Sequence, residues 1–192
     1  MHHSTVVEDI SPSLRRRVEE NVGETVNLCY QCGKCAAGCP LSDELDLTPN
    51  QILRMLQLDM PQFEDQILGS YSIWLCLTCE TCSSRCPKNV EITKIMDFLR
   101  HEAIKENKVN PKAADILAFH HSFLRSVKMS GRLHEVSLIA GYKIKTMHLM
   151  QDVNTAPTLF FNGKLSILPH KVTNTKAIRR IFDKSDKMGD DL

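Results

Sequence analysis

Aromatic residues make up only 6% of the 192-residue chain, and neither sign of charge dominates. Lys+Arg 24 stand against Asp+Glu 23, a formal net charge of +1. Scarce aromatics disfavour a base-stacking surface, and a near-neutral chain has no global field to draw nucleic acid or an acidic substrate. No apolar run approaches the ~18 residues of a membrane-spanning helix. The N-terminus, MHHSTVVEDISPSLRRRVEE, lacks the apolar stretch of a secretory signal, so a cytoplasmic location is expected. His2 and His3 are given no role. There is no Gly-rich nucleotide loop and no Ser/His/Asp or paired-carboxylate constellation, so no residue is assigned to catalysis. Apolar residues at 42% and charged residues at 24% are the composition of a chain that can build a core.

Cysteine is present, and it is concentrated. All eight cysteines fall in two runs, CYQCGKCAAGCP from Cys29 to Pro40 and CLTCETCSSRCP from Cys76 to Pro87. In a reducing compartment, clustered cysteines are metal ligands or redox thiols before they are disulfides. Each run reads C-x2-C-x2-C-x3-C-P, and the second repeats the first at an offset of 47, from Cys29 to Cys76.

Three cysteines at i, i+3 and i+6 let one loop wrap a compact object, and the proline turns the fourth away. In the bacterial ferredoxin arrangement the fourth cysteine serves the other cluster. On that rule Cys29, Cys32, Cys35 and Cys86 hold one [4Fe–4S] cluster, and Cys76, Cys79, Cys82 and Cys39 hold a second. A pair of four-cysteine zinc sites is the alternative, but zinc takes two short-spaced pairs separated by a longer span. A disulfide framework suits a small secreted chain, which this is not. Small residues in the loops, Gly33, Ala36, Ala37 and Gly38 against Thr78, Thr81, Ser83 and Ser84, let backbone N–H groups approach the sulfurs. The more hydroxyl-rich second loop is expected to give the higher-potential cluster. Lys34 and Arg85 are expected to offset the clusters' negative charge.

The surrounding pattern is helical. Leu14, Val18 and Val22 give an entry helix over 11–28 with Ser11 as cap and Pro12 at its first position. Arg15, Arg16 and Arg17 fall off that stripe, as a solvated face or as a patch for an acidic partner. Thr48-Pro49-Asn50-Gln51 carries a capping box, opening a helix through Ile52, Leu53, Leu56 and Met60. Pro61 blocks its extension, and a further helix through Phe63, Ile67 and Leu68 ends at Gly69. Ile92, Ile95, Met96, Leu99 and Ala103 predict a helix to about Asn107. A next helix opens at Asn110-Pro111 with Ile116, Leu117, Phe119, Phe123, Leu124 and Val127 apolar. Leu133, Val136, Leu138 and Ile139 follow Gly131. Trp74 is read as core, and one of His120 and His121 as facing the core or a hydrogen bond. Ala156-Pro157 reads as a helix breaker, and Phe160-Phe161-Asn162-Gly163 as a hairpin. Thr173 or Asn174 caps a last helix, before a frayed SDKMGDDL. The expected organisation is an N-terminal helical arm over 1–24, an α-helical two-cluster domain over 25–147, and a C-terminal extension over 148–192 that docks partners.

With CYQCGKCAAGCP, the stretches SIWLCLTCETCSSRCPKNVEITKIMDFLR (Ser72–Arg100) and FHHSFLRSVKMSGRLHEVSL (Phe119–Leu138) resemble the C subunit of the CoB–CoM heterodisulfide reductases of methanogenic archaea, over about residues 20–150. The resemblance implies a mainly α fold, an α-helical ferredoxin-like domain holding two [4Fe–4S] clusters. It implies an electron relay, non-catalytic alone, from the FAD- and iron–sulfur-containing A subunit to the catalytic B subunit, which reduces the CoM-S-S-CoB heterodisulfide. Through the A subunit it implies a hydrogenase or formate dehydrogenase and flavin-based electron bifurcation in methanogenesis. Catalytic subunits of that family carry adjacent Cys-Cys pairs, and none occurs here. The alternative is the two-cluster subunit of a succinate, glycolate or glycerol-3-phosphate dehydrogenase. Those chains carry further cysteine motifs, for which no cysteine is left. No nucleic-acid partner and no membrane span are expected.

Overall fold

The computed structural model describes residues 12–23, 26–147, 156–162 and 172–189. No strand occurs among them. They fall into two compact units that meet between Ala113 and Ala114. Pro111 opens a short 3-10 turn, Pro111–Ala113, at the division, and a proline there cannot continue the preceding helix. The division lies inside the segment 25–147.

In the first unit, α1 (Leu14–Val22) spans the Leu14/Val18/Val22 stripe but is shorter than the helix expected over 11–28. Ser13, not Ser11, is its cap, accepting the Arg16 N–H at 3.4 Å. Ser11 lies outside the described residues. Gly23, left-handed at φ 73, ends the helix, and a separate 3-10 turn spans Val26–Leu28. The one-turn α2 (Lys34–Ala37) sits inside the first cysteine run. The Thr48/Gln51 capping box opens α3 (Pro49–Leu58), with Ile52, Leu53 and Leu56 buried. Met60 is not on that stripe; it is exposed and precedes α4 (Pro61–Leu68), which stops at Gly69. Then come α5 (Ser72–Leu75), α6 (Thr81–Ser84) inside the second run, and α7 (Ile92–Lys105).

The core lies along α7, which packs on α1, α4, α5 and α6, while α3 packs on α1, α2 and α4. Ile92, Ile95, Met96, Leu99 and Ala103 bury the predicted face of α7 against Val18, Leu68 and Ile73, all buried. Each such Ile, Leu, Val or Met side chain contributes about 1.5–3 kcal/mol over an exposed one. Trp74 is buried in this core, with no partner for its indole N–H among the described residues.

The arginine triplet does not behave as one solvated face. Arg15 and Arg16 pair along α1 with Glu19 and Glu20. Arg17 turns inward, its side chain only 18% exposed, and bonds Glu64 of α4, Glu102 of α7 and Glu106 at the end of α7. Burial alone would lower its pKa, but these carboxylates carry it above the ordinary value. A buried cation needs such partners, and here they clamp three helices together.

In the second unit α8 (Ala114–Ser130) packs on α9 (Glu135–Thr146) and on α11 (Thr175–Gly189). Its buried face is not the apolar stripe but Ser122, Ser126 and Ser130; Phe119, Phe123 and Leu124 are exposed. Small side chains bring the helices close, and the hydroxyls are satisfied locally. Ser126 Oγ lies 3.0 Å from Ser137 Oγ and accepts the His134 N–H at 2.9 Å. A Cβ on Gly141 would sit 3.2 Å from Ser122 Oγ. His120 and His121 are both exposed, so neither faces the core. The hairpin reading is overturned where it can be seen: Ala156–Phe161 is helix α10, with the proline in its first turn, and Asn162 follows as a turn. Residues 163–165 lie outside the described residues. Asn174 Oδ1 accepts the Ala177 N–H at 3.3 Å, and α11 runs through the tail expected to fray, as far as Gly189.

Candidate metal centre

The two cysteine runs fold alike, residue by residue. After Cys29 the chain is left-handed at Gln31 (φ 62) and Gly33 (φ 75); after Cys76 it is left-handed at Thr78 (φ 53) and Glu80 (φ 58). Each pair leads into a one-turn helix, α2 or α6, whose second residue is the third cysteine of its run. The closing turns also correspond: the Cys39 N–H donates to the Ala36 carbonyl at 3.0 Å and the Cys86 N–H to the Ser83 carbonyl at 3.1 Å. A left-handed backbone costs a non-glycine residue on the order of 1 kcal/mol, more when β-branched like Thr78. Alternating left- and right-handed residues aim successive N–H groups into one concavity, a nest for an anion.

Those N–H groups reach sulfur. The Lys34 backbone N–H, with the Tyr30 hydroxyl and the Lys34 charge, holds the exposed Cys32 thiol below its ordinary pKa. The Thr81 hydroxyl and backbone N–H do the same for Cys79, the matching residue of the second run. The third cysteines are opposite in character: burial pushes Cys35 up to about 11, and burial also raises Cys82. A thiol held protonated in this way becomes a ligand only when a metal displaces its proton. Further bonds run from Gln31 Nε2 to Cys29 Sγ at 3.4 Å and from the Val90 N–H to Cys86 Sγ at 3.3 Å. Side-chain donors thus reach sulfurs of both runs, so the second loop's hydroxyls alone no longer separate the two sites.

The runs interlock. α2 packs on α6. Cys39, from the first run, lines one cavity with Cys76, Cys79 and Cys82; its walls are otherwise largely apolar, among them Leu41, Leu45, Ile92 and Met96. On the other side, the hydrogen bond to Cys32 raises the Tyr30 pKa, with desolvation and the charges of Cys32, Cys86 and Cys29 acting the same way. Among the described residues, no three His, Cys, Asp or Glu side chains are set to grip a single ion. Instead, four thiols line one largely apolar cavity, the kind of donor set a polynuclear thiolate-bound group takes. All eight cysteines are free thiols, so the donor set fits iron–sulfur ligation.

Three supports of this geometry carry no local sequence signal. Gln57 of α3 donates to the Cys29 carbonyl at 2.6 Å, and Arg100 of α7 donates to the Cys76 carbonyl, so the first residue of each run is anchored from a core helix. Arg100 also holds the Ile73 carbonyl at 2.5 Å. Asp46 ties the spacer to the start of α5: Oδ2 accepts the Tyr71 N–H at 2.8 Å, and Oδ1 accepts from Ser70 Oγ at 2.7 Å and the Ser72 N–H at 2.9 Å. Burial would raise the Asp46 pKa, but these bonds and that of the Ser72 hydroxyl outweigh it and hold it at about 2.

Residues 25–90, which enclose both runs, match the family model described as 4Fe-4S dicluster domain. Over that stretch the chain is similar to 4Fe-4S dicluster domains. Its cofactors are two [4Fe–4S] clusters. The chain is 34% identical over 107 residues to the iron-sulfur C 2 subunit of the CoB–CoM heterodisulfide reductase of Methanocaldococcus jannaschii, covering 54% of this chain and 55% of the relative. It is 28% identical over 103 residues to the C subunit of the H(2):CoB-CoM heterodisulfide,ferredoxin reductase of Methanothermobacter thermautotrophicus, 54% of each chain. It is 34% identical over 84 residues to the C subunit of the Ferredoxin/F(420)H(2)-dependent CoB-CoM heterodisulfide reductase of Methanosarcina acetivorans, 44% of this chain and 50% of the relative. The resemblance to the heterodisulfide reductase C subunit read from the sequence is therefore borne out. The chain spans about half the length of the curated relatives it matches. No helix among the described residues is long and apolar enough to cross a membrane.

Proposed function

We propose that this chain is the electron-relay subunit of a cytoplasmic heterodisulfide reductase. It passes electrons from a flavin- and iron–sulfur-containing A subunit to a catalytic B subunit that reduces CoM-S-S-CoB. The chain itself has no catalytic residue. When bound, the clusters supply one-electron transfer. Cys29, Cys32, Cys35 and Cys86 hold one, and Cys76, Cys79, Cys82 and Cys39 hold the other. The observation that carries this reading is the cavity lined by Cys39 together with the three leading cysteines of the second run. Ligands exchanged between runs put two clusters side by side, and two fully thiolate-ligated clusters have no open iron site for a substrate.

The protein's own part is structural and electrostatic. The nests present N–H groups to sulfur, apolar side chains line much of the second site, and α2 and α6 hold the sites together. The upstream donor is a hydrogenase or formate dehydrogenase acting through the flavin subunit, in an assembly that bifurcates electrons at flavin. The segment 148–192 contributes to docking in that assembly.

Anaerobic co-purification tests this. The chain is expected to bring down the flavin and the catalytic subunits. Removing it from the purified assembly abolishes electron flow from flavin to the heterodisulfide, while the catalytic subunit still accepts electrons from an artificial donor. An assembly that reduces heterodisulfide from its physiological donor without this chain would exclude the relay role.

A further inference from the structure

The two exposed edges of the dicluster domain are alike in backbone and opposite in charge. Each edge shows the second cysteine of its run, Cys32 or Cys79, at the surface. Each adds large exposed apolar side chains: Leu28 and Tyr30 at 49% and 57% on one, Leu77 at 64% on the other. The backbone repeat makes Tyr30 and Leu77 equivalent, so these apolar groups frame the two places where a sulfur comes nearest to solvent.

The charged residues around them differ. At the first edge, Lys34 acts electrostatically on Cys32. Arg85 lies over Gly38, where an added Cβ would collide with it, and shares a recess with Lys34 and Ala37. Lys88 is exposed on the turn after Cys86 and Pro87. At the second edge the charges are acidic. Glu80 follows Cys79, where the first run has Gly33, and Asp43 and Glu44 lie on the 3-10 turn between Leu41 and Leu45, which line the Cys79 cavity. All six charged side chains are exposed, and none forms an ion pair with another described residue. With a net charge of only +1 over the whole chain, these local patches set the field an approaching protein meets.

We propose that the Cys32 edge is the docking site for a redox protein whose electron-transfer face is acidic, and that the Cys79 edge repels the same partner. The apolar groups supply the dry contact and the charges supply orientation and choice, since complementary charge governs encounter rate and like charge rejects the wrong partner. The electron then has one favoured entry and a different exit, which a symmetric pair of edges would not give. This rests on the relay reading above. The step is one electron from the reduced partner to this chain: the partner is oxidised, the chain reduced, and no proton or leaving group moves.

The test uses the full chain with both clusters, and a reduced, acidic plant-type [2Fe–2S] ferredoxin as the probe, in anaerobic stopped-flow. The second-order rate is expected to fall on the order of 10-fold from low to high salt. The triple variant Lys34→Gln, Arg85→Gln, Lys88→Gln should lose a comparable factor at low salt. The variant Asp43→Asn, Glu44→Gln should keep or exceed the parent rate. A salt-independent rate for the unmutated chain overturns the proposal without any variant, and so does an undiminished rate in the lysine–arginine variant or a loss in the acidic one. Iron, sulfide and EPR signals are measured on every sample. A parent chain without two reducible clusters would sink the relay reading itself; two reducible clusters with charge-blind rates would sink only the docking site.

Discussion

Cys39 and Cys76 line the same cavity, although Cys39 closes the first cysteine run and Cys76 opens the second. The tie that keeps them together is Asp46, a few residues after Cys39, bonded to Ser70, Tyr71 and Ser72 just before Cys76. The spacer is thus folded back by a carboxylate that caps the short helix leading into the second run.

Replacing Asp46 by Ala should destabilise the first unit by about 1–2 kcal/mol at neutral pH, as loss of a helix cap does. The pH dependence has a definite sign. A carboxyl held at about 2 against an ordinary value of about 4 contributes its stability above about pH 4 and loses it as pH falls towards 2. Urea unfolding of the parent and of Asp46→Ala should therefore differ at pH 7 and converge on acidification. Equal midpoints at pH 7 would show that the tie carries no stability.

Arg100 and Gln57 anchor the first carbonyl of each run, and their loss should be selective. Arg100→Met leaves the Ile73 and Cys76 carbonyls without their charged donor, at a cost of about 2–3 kcal/mol, and should make the cluster nearest Cys76 the first to be lost. Gln57→Leu frees the Val26 and Cys29 carbonyls, costs about 1 kcal/mol, and should loosen the other. EPR-resolved bleaching with an iron chelator distinguishes the two. Identical loss profiles for both variants would contradict separate anchoring.

Gly33 stands at φ 75, and a Cβ added there would have nothing within 4 Å, so a side chain there meets conformational strain and not a clash. Gly33→Val should lower stability by about 1–2 kcal/mol, whereas Gly33→Asn, which tolerates left-handed backbone, should cost less. Thermal unfolding of the loaded chain measures both. A valine variant as stable as the parent would mean that this turn does not need its left-handed residue.

The sequence made some of this legible and hid the rest for physical reasons. The repeat of the two cysteine runs, the Thr48/Gln51 box and the α7 stripe are local patterns, and they appear in the structure as read. Arg17 is hidden because its inward turn depends on Glu64, Glu102 and Glu106, all far away along the chain. The serine face of α8 is hidden because apolar periodicity picks out Phe119, Phe123 and Leu124, while close helix packing against α9 rewards small side chains. Asn162-Gly163 carries a hairpin signal, yet Ala156–Phe161 takes the helix that Pro157 permits in its first turn. Gln57 and Arg100 reach backbone carbonyls across the fold, and no periodicity marks such contacts.

Each site is proposed to take its fourth thiol from the other run, and paired substitutions test that crossing most directly. Cys39→Ser with Cys79→Ser removes two ligands from one site, and Cys39→Ser with Cys32→Ser removes one from each. Iron and acid-labile sulfide are then measured on anaerobically purified protein, against about eight of each per chain for two intact clusters. The first variant is expected to keep one complete cluster, about four irons with an unaltered EPR signal, and the second to keep no intact four-iron cluster. The opposite result, with one complete cluster surviving in the Cys39/Cys32 variant and none in the Cys39/Cys79 variant, would contradict the crossed arrangement.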